Sequence, residues 1–477
     1  MLSLGSARRI AVPSVQEPML IPAARSSAPW GLAIQWIVPA VALLACDGPR
    51  ADRAAAVEPP PSRHAESFDS GDASRPVEFL SWWGPVGESN PTEALLAFHK
   101  SRYPQDLIVN AKTIFAGQAR KTAKAQLESG DPPDVFQSTI GKDHMQWVLT
   151  NGIDGRGAKI LAVDDFIEDA AEWRKVIPAG LLAEMSFDGK LYGVPATVHR
   201  INAVFYNRRV LRSHGLAVPS SVAELENAGE TLRAAGIPLF AIGAREPWPL
   251  GHFVFEGLLV ALEGPAFYKS YFSGRERADD PRIVEALRVA LRLLRYARAD
   301  SARLTWLQAG EKVAKGEAAA TVTGDWAEVF FAPNGLGPDD AVVEGAFPGS
   351  ENTLVFTVDV FSVPVASKNL SGAKRLLSTI GSQQGQRLLS RVKGCLSPRS
   401  DVDAELVGPM RRRKFELLRD GRTVMGLVGL IPPRFYEDVN WALLDMMEQD
   451  DVEPVVQTLR ARYRLLSAPA DLEVRPF

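Results

Sequence analysis

Apolar positions along this chain switch repeatedly between a strand rhythm and a helix rhythm. The run Val77-Glu-Phe-Leu80 predicts a strand, and Pro91 opens a helix with Leu95 and Phe98 inward, closing before Pro104. Leu107-Ile-Val109 predicts a second strand. Residues 117–129 predict a helix stopped by Gly130, and Asp131-Pro-Pro-Asp-Val-Phe-Gln137 returns to a strand. This alternation points to an open, mostly parallel α/β sheet flanked by helices. In such sheets ligands sit beyond the carboxyl ends of the strands, where Trp82-Trp83 and Gln137 fall.

The stretch from Asp188 to Asn207 changes the picture. A turn at Asp188-Gly189 leads into Gly193-Val-Pro195, and an alternating strand follows with Ile201, Ala203 and Phe205 apolar. Gly193 frees the backbone and Pro195 fixes it, so a passage between two bodies is expected here. A second body is then predicted from a helix at 220–235, the apolar run 238–243, a long helix at 281–299 and a strand at 318–323. The strand 357–364 and the helix 372–389 lead the chain back. Lys393-Gly-Cys-Leu-Ser-Pro398 reads as a further crossing. The domain expectation is therefore one lobe of 77–196 plus 350–392 and another of 197–349 plus 393–477.

Length supports two bodies, because single cores stop growing beyond roughly 250 to 300 residues and this chain has 477. A net charge of −3 gives no general attraction to nucleic acid or anionic membranes. The helix at 281–299 carries Arg282, Arg288, Arg292, Arg295 and Arg298, but only Tyr296 interleaves them, which suits a solvated face rather than a nucleic-acid partner. Six scattered histidines offer no metal spacing, so neither a metal nor another cofactor is expected. Cys46 and Cys395 differ too much in context to suggest a disulfide.

The segment before the folded part is more specific. An apolar run from Trp30 to Ala45, interrupted by Gln35 and Pro39, follows Arg8, Arg9 and Arg25. It is short for a bilayer span and suits a signal-peptide core. It ends in Leu43-Leu-Ala-Cys46, which resembles the lipobox of bacterial lipoproteins, so residues 1–46 are expected to be a signal peptide with Cys46 the lipidated residue. Cleavage near Ala45 without a lipid, or an uncleaved anchor, are the other readings. Residues 47–76 are rich in Pro, Ala, Arg, Asp and Ser without apolar period, and read as a disordered tether. Some 30 flexible residues reach about 30 Å.

Several segments together resemble the family 1 extracellular solute-binding proteins of bacterial ABC importers, with the glucose/mannose-binding members nearest. They are Phe79-Leu-Ser-Trp-Trp83, Gly130-Asp-Pro-Pro-Asp-Val-Phe-Gln137, Gly193-Val-Pro-Ala-Thr-Val-His-Arg-Ile-Asn202, Leu304-Thr-Trp-Leu-Gln-Ala309, Gly324-Asp-Trp326, Gly381-Ser-Gln-Gln-Gly-Gln386 and Val392-Lys-Gly394. The resemblance implies a type II periplasmic-binding-protein fold of two α/β lobes joined by crossing hinge segments. It also implies one sugar in the cleft, no catalysis, ABC-transporter permease subunits as partners, a membrane tie through the lipid anchor, and a monomer in the cell envelope. Carried over by position, it makes Trp82, Trp83, Glu88, Gln137, Trp248, His252, Asp325 and Lys393 sugar contacts. Two family histidines are missing, one where Thr139 stands and one near Val428, so the resemblance carries the sugar class but not glucose.

The residue types suit that ligand. An indole offers a flat apolar partner to the C–H face of a pyranose. Carboxylates and a lysine meet its hydroxyls, each of which costs roughly 1 to 3 kcal/mol if buried unpaired. Blander roles also fit: neighbouring strand tryptophans face opposite sides, Asp325 can cap a helix, and most lysines are surface residues. A secreted glycoside hydrolase using Glu88 and Asp325 and a same-fold receptor for a non-sugar solute remain the alternatives.

Overall fold

The computed structural model describes residues 75–86, 90–112, 116–149, 158–165, 167, 170–331, 342–402 and 409–466. The expected signal peptide, Cys46 and nearly all of the expected tether lie outside them.

Strands in chain order are Val77–Ser81 (β1), Ile108–Lys112 (β2), Val135–Thr139 (β3), Ser186–Phe187 (β4), Lys190–Leu191 (β5), Val194–Arg200 (β6), Ala203–Asn207 (β7), Ala320–Thr323 (β8), Val342–Ala346 (β9), Leu354–Ser362 (β10) and Thr423–Met425 (β11). The first sheet runs β11-β10-β3-β1-β2, with β6 also paired to β10. Its amino-terminal part is parallel, β1 lying between β2 and β3. The nine-residue β10 takes parallel β11 at its start and antiparallel β3 at its end, while antiparallel β6 runs along it. Every residue of β3, β6 and β10 is buried, as expected for strands covered on both faces. Phe79, Val135, Val198, Val358, Leu376 and Leu417 form the core there.

The second sheet departs from the mostly parallel expectation. β7 lies between β8 and β9 and is antiparallel to both. The chain enters this body at the start of β7, and both partners end opposite that point, Thr323 and Ala346 pairing with Ala203. Strands that deliver the chain to the hinge side must oppose the one that carries it away. A core of Val204, Phe240, Phe253, Leu258, Leu287 and Leu443 fills this body. Its long apolar helical stretch, Trp248–Phe272, meets the length and composition of a membrane span but is 67% buried over its apolar window, as a core helix is. The arginines of the helix Pro281–Leu294 and its end form surface ion pairs, Arg292 with Glu226 and Arg295 with Asp450 among them.

Among the described residues three passages join the bodies, and two lie elsewhere than expected. The first falls at Ile201-Asn202, because Gly193 and Pro195 belong to the first body: Pro195 sits in β6 beside a register shift opposite Asp359 and Val360, where a missing donor is tolerated. The second is 347–353, between β9 and β10. The third follows β11, not Lys393, since Leu396 bridges back to Val198 and Leu417 packs in the first core. Residues 393–402 and 409–425 therefore stay with the first body, and the helix Pro433–Gln449 belongs to the second.

Asn202 stitches the first two passages. Its Nδ2 donates to Ser350 Oγ (2.9 Å) and the Thr353 carbonyl, its Oδ1 accepts from the Val355 N–H, and its carbonyl accepts from the Phe347 N–H. A buried amide with every group met is a fixed pivot.

Candidate functional site

Local chain direction sets the first wall. β1 and β3 end side by side, so Trp82 and Gln137 meet at the carboxyl edge of the sheet. Gln137 Oε1 accepts from Ser81 Oγ (2.6 Å) and from the Trp82 N–H (3.2 Å), while its Nε2 is buried without a protein partner. Trp82 is half-buried, and the Arg120 guanidinium lies 4.8 Å from its ring centroid. Arg120, on the helix Ala116–Ser129, is held by Asp143 and donates to Thr139 Oγ1 (2.8 Å). Thr139, where the family resemblance led to the expectation of a histidine, thus seats an arginine.

Trp83 turns the other way. It is 4% exposed, packs edge-on against Phe361, and donates its indole N–H to Asp359 Oδ2 (2.8 Å). Lys393 Nζ stands 4.3 Å from the Trp83 ring centroid and 3.3 Å from the same carboxylate oxygen. Thr197 Oγ1 also donates to it. Burial opposes ionisation of Asp359, but Lys393, His199 and the Trp83 indole outweigh it and hold the carboxyl far below the usual range.

A second aromatic wall belongs to the second body. Trp326, half-buried after β8, meets Trp248 edge-on at 5.6 Å, with Trp306 at 6.5 Å and His252 at 6.1 Å between centroids. Trp248 donates its N–H to Glu246 (3.2 Å), whose carboxyl is raised by burial. His252 is 5% exposed and bonded to Glu256.

Asp325 stands behind this wall. It has no exposed surface: Oδ1 faces His199 Nδ1 (2.7 Å), and Oδ2 accepts from the Arg200 N–H (3.0 Å) and Lys414 Nζ (2.8 Å). Burial opposes its charge, but Lys414 and His199 prevail and keep it ionised. Of the sequence-expected contacts, then, Trp82, Trp248 and Lys393 are half-buried, whereas Gln137, His252, Trp83 and Asp325 are enclosed. Glu88 lies outside the described residues.

These contacts close a circuit. His199 links Asp359 of the first sheet (3.6 Å) to Asp325, and its ring meets Trp326 at 5.4 Å. On the far side, a Cβ at Gly117 in the Arg120 helix would come within 3.8 Å of Glu246. Arg120, Glu246, His199, Trp306, Trp326 and Asp359 are the members that the residue-by-residue expectation omitted. Asp359 was legible, as the lone carboxylate in Thr357-Val-Asp-Val-Phe361; Arg120 looks like any helix-surface arginine in sequence.

Residues 94–387 match the model of the bacterial extracellular solute-binding proteins. This chain belongs to that family. An uncharacterized ABC transporter extracellular-binding protein of Pyrococcus horikoshii is 28% identical over 79% of this chain and 84% of its own length. A probable sugar-binding periplasmic protein of Brucella suis is 26% identical over 68% and 75%, and a xylose/arabinose-binding protein of Haloferax volcanii 24% over 75% and 76%. Among solved structures, a chitin oligosaccharide binding protein superposes with a TM-score of 0.68 at 16% identity, covering 83% of this chain and all of that one. The GacH receptor of Streptomyces glaucescens gives 0.64 at 20% identity over 83% and 99%. Such distant likenesses establish the two-lobed fold of this solute-binding protein.

Proposed function

We propose that this protein is the sugar receptor of an ABC importer, holding a monosaccharide or other small sugar between Trp82 on one body and Trp248 and Trp326 on the other. The half-buried indoles on both bodies support the reading, because a flat apolar ring suits the C–H face of a pyranose. Arg120 and Lys393 donate, Glu246 accepts, and the Gln137 amide offers a donor that no protein group uses. Trp83 and Asp325 hold these groups in place. The names of the relatives from Brucella suis and Haloferax volcanii support the ligand class.

In this reading the ligand bridges the bodies and shifts the population toward the closed form, which the permease accepts. Cys46 carries a lipid that keeps the protein at the membrane; Cys46→Ser would move it from the membrane fraction to the soluble one. A hydrolase gains no support, because the enclosed Asp325 cannot flank a glycosidic bond. The test is a thermal-shift panel of monosaccharides, oligosaccharides, polyols and amino acids. A sugar at a hundred times its Kd should add about 2.7 kcal/mol of stability. A shift with an amino acid and with no sugar would overturn the sugar reading.

A further inference from the structure

We propose that Glu256 is a positioning residue that ties His252, on the aromatic wall, to the third passage between the bodies at Leu427. That His252 borders the ligand rests on the reading above; the tie itself does not. Both residues lie in the stretch His252–Leu259, which is wound as a π-helix within the long core helix. Such windings recur at functional sites, because they displace one residue from the regular ladder.

Glu256 is 1% exposed and uses one oxygen for each partner. Oε2 is hydrogen-bonded to His252 Nδ1. Oε1 accepts from the Leu427 N–H at 2.6 Å. The passage is shaped to permit this. A Cβ at Gly426 would lie 2.9 Å from Glu256 Oε1 and 2.2 Å from Ile201 Cδ1, so a side chain where the third passage crosses the first would displace both groups. Beyond it, Gly429 packs on Ile140 in the first body, a Cβ there meeting the Ile140 carbonyl at 2.4 Å. Glu256 therefore stands between a wall of the gap and a segment clamped to the opposite lobe.

A buried carboxylate stripped of one hydrogen bond carries a penalty that its other partner feels. Two anchored oxygens fix the orientation of the Glu256 carboxyl, so freeing Oε2 lets the side chain turn and loosens its hold on the Leu427 N–H, and a ligand that fixes His252 also fixes the third passage.

Amide exchange at Leu427 reads this directly, with no ligand present. His252→Ala should accelerate exchange of the Leu427 amide on the order of tenfold, the effect of one charge-assisted hydrogen bond. The Gly426 amide, which donates to the Phe356 carbonyl at 2.8 Å, should stay unchanged. His252→Asn, whose amide nitrogen can take the place of Nδ1, should restore slow exchange. Should His252→Ala not fold, His252→Gln fills the space with its amide group displaced and serves as the deleting variant. Leu427 exchange unaltered in the deleting variant would overturn the proposal. So would equal acceleration with alanine and asparagine, which would mark a packing defect only. The sugar panel on the wild-type protein is read separately, so its failure would remove the ligand reading without deciding the tie.

Discussion

The indole N–H of Trp83 donates to Asp359 Oδ2 at 2.8 Å, joining the loop after β1 to the middle of β10 across 276 residues of sequence. Its neighbour Trp82 instead carries the Arg120 guanidinium on its face. The two tryptophans should therefore fail in different ways when truncated. Trp83→Ala opens a core cavity and strips a buried carboxylate of a donor, and should cost about 3–5 kcal/mol of stability. Trp82→Ala should leave the melting temperature of the free protein within a few degrees yet weaken binding of the sugar found by the panel ten- to a hundredfold, about 1.5–3 kcal/mol. Urea denaturation and calorimetry on both variants check this. A Trp83 variant as stable as the parent would contradict the assignment.

Lys414 has no exposed surface, and its ammonium serves Asp325 (2.8 Å) and Glu344 (3.5 Å). Lys414→Met leaves these carboxylates buried without their cation and should destabilise by about 3–5 kcal/mol. Adding Asp325→Asn should recover part of the loss, because removing both charges costs less than orphaning one. Chemical denaturation of the single and double variants decides; a single variant within about 0.5 kcal/mol of the parent, the range of ordinary surface substitutions, would refute a structural Asp325.

Asn202→Ala removes the side-chain bonds to Ser350, Thr353 and Val355 and leaves the buried Val355 N–H without its acceptor. A loss of about 2–4 kcal/mol is expected. Because these bonds fix the angle between two passages, small-angle scattering should also show a broader distribution of interlobe separations. Unchanged scattering with lowered stability would reduce Asn202 to an ordinary buried amide.

Burial lowers His144 to about 4; the ring is fully enclosed, with Nδ1 against Ser138 Oγ at 2.9 Å. The unfolded chain takes up this proton near pH 6.5, whereas the folded protein takes it up only near 4. The unfolded state thus binds more protons between those values, and stability rises with pH across the window. From pH 7 down to 4 the contribution lost is about 3 kcal/mol. His144→Gln should flatten this part of the profile, measured as denaturation midpoint against pH. An equally steep profile in the variant would assign the slope to other groups.

Sequence alone determined the elements with a clear period, among them β1, β3, β8 and the helix Pro281–Leu294, but not β6, β9 or β11. Apolar period and caps such as Asn90, Ser221 and Thr305 are local matters, decided within a turn or two of the residue concerned. The family motifs were likewise legible, because each is a short contiguous string. Tertiary structure decided which passage is which and which aromatic and charged side chains are enclosed. Trp82 and Trp83 are neighbours with the same side chain, and only the partners brought from residues 120, 359 and 393 separate a wall from a core. Asp325 reads as a ligand in sequence and proves enclosed, because Lys414 reaches it from 89 residues away. Burial and pairing of a polar side chain depend on what the rest of the chain packs against it, and no local pattern encodes that.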